Sequence, residues 1–243
     1  MRRFLEICVD EASAVRAAME GGADRIELCS ALDAGGLTPS AGFAAFAVSL
    51  GIPVRAMIRP RAGDFVFSAD EARVMSEDIV KLLALGVEGV VLGASLPDGR
   101  LDLKMLERLV AVARQAGARG LTLHRAIDLT PDLESVIDDV AALGFDTVLS
   151  SGGAVTAPEG ASMLARMRKR APESLTILAG SGITPSTVAG LVAATKIAAV
   201  HASAAIDADP PDPTLAQFGF SSAVKRRATA ASVRAIRTAL DNA

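Results

Sequence analysis

The chain has 243 residues, with 25 Lys and Arg against 28 Asp and Glu and a net charge of −3. That balance lacks the positive field that grips nucleic acid or an anionic membrane through phosphates, and with no Trp, no Tyr and eight Phe the chain offers few faces for stacking bases or sugars. A chain this long buries about 70% of its unfolded surface, so folding requires neither disulfide nor metal, and two Cys fit a reducing compartment.

Met1-Arg2-Arg3 is basic, but Glu6 and Asp10 interrupt what would be the apolar part of a signal peptide. No apolar run reaches the roughly 18 residues that cross a bilayer, so a cytoplasmic protein with no membrane partner is expected. Strand-like apolar runs then follow one another at Phe4–Cys8, Arg25–Cys29, Val54–Ile58, Gly89–Leu92, Gly120–His124, Thr147–Ser150, Leu175–Leu178 and Ala198–His201. Between them lie segments with helical spacing, such as Ala69–Leu85, Met105–Ala116 and Leu133–Leu143, several closed by a stop glycine at Gly51, Gly86, Gly117 or Gly144. Strands that alternate with helices pair in parallel, and eight of them close without leaving an edge. The expectation is a (β/α)8 barrel, one domain over residues 1–243. An open doubly wound sheet is the rival, but it lacks the GxGxxG phosphate fingerprint after its first strand. The stretch Asp207–Pro213, rich in Asp and Pro, and the aperiodic residues to Arg227 read as a loop over about 207–227. A helix over about Ala230–Leu240 closes the chain.

In a barrel the reactive end is the C-terminal end of the strands. The runs end there in Cys8 and Asp10, in Glu27 and Cys29, in Arg59 and Arg61, in His124, Arg125 and Asp128, in Ser150-Ser151-Gly152-Gly153, in Gly180-Ser181-Gly182 and in His201. Side chains alternate along a strand, so the charged residues point inward while their Ile, Leu and Val neighbours meet the helices. Buried charges need partners; Glu6, Glu27, Asp10 and Asp128 stand against Arg59, Arg61, Arg125 and both histidines. Glu6 and Glu27 with Arg59 also fit an ion network that only holds strands together, and His124 and His201 also fit interior histidines with no chemistry. The glycine turns after the sixth and seventh strands present N–H groups suited to phosphate or carboxylate, or are simple tight turns. Cys8 and Cys29 lie too far apart in sequence for a local CxxC site, yet they share inward parity on adjacent strands with Met57 behind them. Such soft ligands favour Cu(I); two inert wall cysteines are the alternative.

Leu5-Glu6-Ile7-Cys8, Gly22 to Cys29, Gly35 to Ser40, Ile58-Arg59-Pro60-Arg61 with Gly63-Asp64-Phe65, His124-Arg125-Ala126 with Asp128, Val148 to Gly152 and Gly180 to Ile183 together resemble the CutC family of copper homeostasis proteins. The resemblance implies a cytoplasmic homo-oligomeric barrel linked with copper, with Cys8 and Cys29 as Cu(I) ligands. Ala62 stands where the family pattern has Gly, and Phe67 where Tyr is common.

Two functions follow. The resemblance puts first a copper-binding protein that uses Cys8 and Cys29. The strand ends instead suggest an enzyme of lyase, isomerase or hydrolase type for a small anionic or phosphorylated substrate. There His124 is general acid or base, Glu27 or Asp128 orients it and Arg59 clamps the anion, with Arg61, Arg125, Ser151, Gly152, Gly180, Ser181, Gly182 and His201 in the binding set.

Overall fold

A computed structural model describes residues 2–207, 212–218 and 226–243. Eight parallel strands close into a barrel: β1 Phe4–Val9, β2 Arg25–Leu28, β3 Val54–Met57, β4 Gly89–Leu92, β5 Gly120–Leu123, β6 Thr147–Ser150, β7 Thr176–Gly180 and β8 Ala199–Ala202, with β8 paired to β1. Helices α1 Ala12–Gly21, α2 Ala41–Ser49, α3 Ala69–Ala84, α4 Leu103–Gln115, α5 Val136–Ala142, α6 Ala161–Arg170 and α7 Val188–Thr195 alternate with the strands. The fold is the expected (β/α)8 barrel. No helix among the described residues is long and apolar enough to cross a membrane.

Strand alternation sorts the side chains into two cores. Leu5, Ile7, Val9, Ile26 and Leu28 face outward and pack with helix residues such as Val15, Ala18 and Ala44. Glu6, Cys8, Glu27 and Arg55 face the barrel axis, where the parallel register sets Cys8 against Glu27 and Glu27 against Arg55. Helix ends follow local chemistry. Ser68 and Glu71 form a reciprocal capping box at the start of α3, and Gly22, Gly86, Gly117 and Gly144 end helices with left-handed backbone.

The reading of 207–227 as a loop needs correction. Ala205–Asp207 forms strand β9, paired antiparallel with β10 at Arg226–Ala228, and Pro213–Gln217 forms a short helix α8. Proline is tolerated at a first helical position, and the Asp212 carboxylate accepts from the Thr214 N–H to cap that turn. The rest of that stretch, 208–211 and 219–225, lies outside the described residues. Helix α9, Ala230–Asp241, follows and packs beside α1.

Candidate active site

The interior polar groups begin at the N-terminal end of the barrel. Arg55 donates to the Thr122 and Thr147 hydroxyls at 2.7 and 3.0 Å and pairs with Asp146 at 2.7 Å. Arg25 stacks on Phe4 and donates from Nε to Glu6 at 2.5 Å. Glu6 is fully buried, and its other oxygen lies 2.8 Å from His201 Nδ1. Burial alone raises its pKa, but Arg25 and His201 together pull it down to about 2. The ion network is real, and it uses Arg25 rather than Arg59. Arg25 and Arg55 were legible, since both share parity with the inward residues, but a search confined to strand ends passes them over.

Above this layer, at the C-terminal strand ends, is a cavity of about 420 Å³ lined by Cys8, Glu27, Met57, Arg59, Phe65, His124, Arg125, Ser181, Gly182, Ile183 and His201, among others. His124 is 4% exposed. Its ring lies against Gly93, where a Cβ would fall 2.4 Å from Cε1, and beside Phe65 at 4.9 Å between centroids. Nδ1 accepts from the Ala126 N–H at 3.2 Å, so the proton sits on Nε2, which has no partner among the described residues. Burial, and then the Arg59 charge, lower its pKa to about 3. His124 is therefore neutral at ordinary pH, with its Nε2 proton available as a donor. Glu27 carries the opposite shift: burial raises its carboxyl pKa above the usual range against the pull of His201, and Oε1 has no partner among the described residues. His201 sits between the carboxylates, with Nε2 3.8 Å from Glu27. Burial pushes its pKa down, but Cys8, Glu27 and Glu6 raise it well above the ordinary value.

Several predicted residues have partners other than those expected. Arg59 lines the cavity, its Nε without a partner among the described residues, but its guanidinium donates to the carbonyls of Ala34, Gly36 and Gly63, so it also ties two loops to the barrel. Arg61 turns outward to Glu71 and Asp64. Asp128 does not orient His124. Its carboxylate accepts from the Ser150 and Ser151 hydroxyls, the Ser151 and Gly153 N–H groups and Arg125. The turn after β6 therefore already holds an anion of the chain's own, and its Ser151 and Gly152 are absent from the cavity wall. Gly180 pairs with His201 in the sheet, leaving Ser181 and Gly182 at the cavity. Both have left-handed backbone, at φ of 74° and 69°. Helices α6 and α7 start at Ala161 and Val188, after further loop residues, so neither helix N-terminus directly follows its glycine turn.

The cysteines part company. Cys8 lines the cavity and is 9% exposed. Cys29 is fully buried in a small cluster with Met57 and Val91, and its thiol donates to Glu27 Oε2 at 3.6 Å. Burial, with Glu27 next, raises its pKa well above the ordinary value.

Fold and site together define a (β/α)8-barrel protein whose strand ends carry a buried cluster of acids, histidines and thiols around one cavity. The family model for CutC matches residues 3–206. The chain is 48% identical over 240 residues to a CutC family protein of Sinorhizobium medicae, covering 99% of this chain and 97% of that one. It is 42% identical to one of Chromobacterium violaceum over the full length of both. The chain belongs to the CutC family. Among solved structures, a Streptococcus agalactiae CutC assigned provisionally to copper homeostasis superposes with a TM-score of 0.78 at 29% identity, over 83% of this chain and 98% of that one. A phosphoribosyl anthranilate isomerase from Thermococcus kodakaraensis, 16% identical with a TM-score of 0.60 over 99% of this chain and all of its own, shares the fold.

Proposed function

We propose that the cavity is the active site of a lyase- or isomerase-type enzyme acting on a small anionic carbonyl compound. One observation carries this reading: Glu27 Oε1, Arg59 Nε and His124 Nε2 are buried, lack partners among the described residues and belong to residues lining a single cavity. Buried polar groups are normally satisfied, so such a set marks where a ligand supplies the missing partners. A neutral imidazole N–H and a guanidinium N–H suit a carbonyl oxygen that gains negative charge during reaction. A carboxyl with a raised pKa suits proton transfer at the neighbouring carbon near neutral pH. His124 polarises, Glu27 carries the proton, and Arg125 at the rim meets the substrate's anionic group.

The second reading is the one the family name suggests, Cu(I) held by Cys8 and Cys29. It is favoured by Cys8 at the cavity and by Glu27 lying between the two thiols, and opposed by the burial that keeps the Cys29 proton in place. Copper leaves the Arg59 and His124 donors without an acceptor.

One comparison separates the readings: thermal melting of metal-free protein with millimolar oxalate, a planar dianion shaped like an enolate, and with inorganic phosphate. The enzyme reading expects oxalate or phosphate to raise the melting temperature, by roughly 2.7 kcal/mol of added stability at 100 times its Kd, and His124→Ala to abolish the rise. No shift in wild type, with one Cu(I) bound per chain and lost in the Cys8→Ser, Cys29→Ser double variant, would turn the assignment to copper.

A further inference from the structure

We infer that Cys8, Glu27 and His201 form a three-ligand site for a borderline divalent metal ion, Zn2+ by its chemistry, at the floor of the cavity. It deepens the reading of the cavity as a reaction site, on which it rests for function but not for existence.

Cys8 Sγ, a Glu27 carboxylate oxygen and a His201 ring nitrogen lie within 4.8 Å of one another. They come from the ends of β1, β2 and β8, adjacent strands whose register holds them without any loop. Sulfur, imidazole and carboxylate ligands in one site fit zinc, whereas Cu(I) avoids carboxylate oxygen. A thiolate and a carboxylate also balance the charge of a divalent ion.

The support behind His201 is the independent observation. A metal-binding imidazole almost always donates its far N–H to a carboxylate, which fixes its tautomer and aims the other nitrogen. Glu6 Oε1 lies 2.8 Å from His201 Nδ1, and Arg25 holds Glu6 from its other oxygen. Nε2 is thereby left pointing toward Glu27. Cys29 has the same rank on the other side, its S–H donating to Glu27 Oε2. Thus one cysteine is a ligand and the other a supporting donor. All three ligand residues line the cavity, so the fourth position opens on it, as in catalytic rather than structural zinc sites. With the ion bound, Glu27 becomes a ligand, and its proton-carrying part passes to a water at that fourth position.

The test is anaerobic titration of metal-stripped protein with Co2+, followed by displacement with Zn2+. One Co2+ per chain is expected, with a thiolate-to-cobalt charge-transfer band and the visible bands of a four-coordinate ion. Cys8→Ser should lose the charge-transfer band and His201→Ala should bind at least about 10-fold more weakly. Glu6→Gln, which touches no metal, should weaken binding by about 10- to 100-fold. Cys29→Ser keeps a donor to Glu27 and should keep the spectrum. A wild type without the thiolate band overturns the site, even if every variant unfolds, and so does a band that disappears in Cys29→Ser while surviving in Cys8→Ser. Oxalate stabilisation of the metal-free protein in the absence of cobalt binding would remove the metal and leave the reaction-site reading standing.

Discussion

His124 and His201, the only histidines in the chain, are driven to opposite protonation states by what surrounds them. His124 meets Phe65, the Gly93 backbone and the nearby Arg59 charge, and among the described residues no carboxylate is hydrogen-bonded to its ring. His201 is held between Glu6 and Glu27. The pKa of His124 lies near 3 in the folded protein against 6.5 ordinarily, so below 6.5 the unfolded chain binds a proton that the folded one refuses. Its contribution therefore destabilises the fold as pH drops from 6.5 toward 3, by about 1.4 kcal/mol per pH unit. Denaturant melts of the metal-free protein at stepped pH should show this slope, and His124→Gln should flatten it at the upper end of that range, well above the ordinary Glu value of 4.5, where Glu6 is ionised in both states. An unchanged slope in that variant would mean His124 titrates normally and is no neutral donor.

At the scale of an element, the turn after β6 shows why a glycine-rich strand end is ambiguous. Ser151-Gly152-Gly153 has the composition of an anion cradle, but Asp128, from the segment after β5, supplies the anion within the chain. Its side chain is 8% exposed, and the hydrogen bonds it accepts are charge-assisted. Asp128→Ala should destabilise the protein by about 3 kcal/mol, as several buried donors lose their acceptor together. Asp128→Asn, which keeps one carbonyl oxygen, should cost less. Equal melting of wild type and Asp128→Ala would show that the turn stands by itself. Gly120 at the start of β5 and Gly93 just after β4 make the complementary point: a Cβ at Gly120 would fall 2.3 Å from an Arg55 nitrogen, and one at Gly93 would strike His124. These glycines are space for a neighbour's charged or polar group, not turns.

Across the whole molecule, the ring of helices closes where α9 meets α1, far in sequence from the strand that α1 follows. Gly21 makes the seam possible, because a Cβ there would lie 2.4 Å from Val233 Cβ. Arg237 on α9, with its side chain 8% exposed, pairs with Asp24 and Asp241 beside it. Gly21→Ala should force the two helices apart and cost about 2 kcal/mol, in the range for overpacking a tight contact. The denaturant midpoint should fall with the slope unchanged, and His124-dependent oxalate binding at the other end of the barrel should persist. A Gly21→Ala protein as stable as wild type would place the seam elsewhere.

Periodicity is a local property, and it made the barrel readable. Alternating strands such as Leu5-Glu6-Ile7-Cys8 and glycine-closed helices repeat along the chain, and parity alone identified which residues face the axis. The same parity placed Cys8, Glu27, Arg59, His124 and His201 at the strand ends, and all five line the cavity. Their roles could not be read there, because role depends on partners brought from distant strands. Charge and parity set Glu6 against Arg59, but Arg25 holds it. Arg61 shares a motif with Arg59 yet turns to Glu71. The segment at 207–227 looked structureless because β9 and β10 are three residues each and draw their stability from pairing with each other, a long-range contact with no periodic trace. Desolvation decided the rest: whether His124 is charged and whether Cys29 keeps its proton depend on how deeply other chain segments bury them.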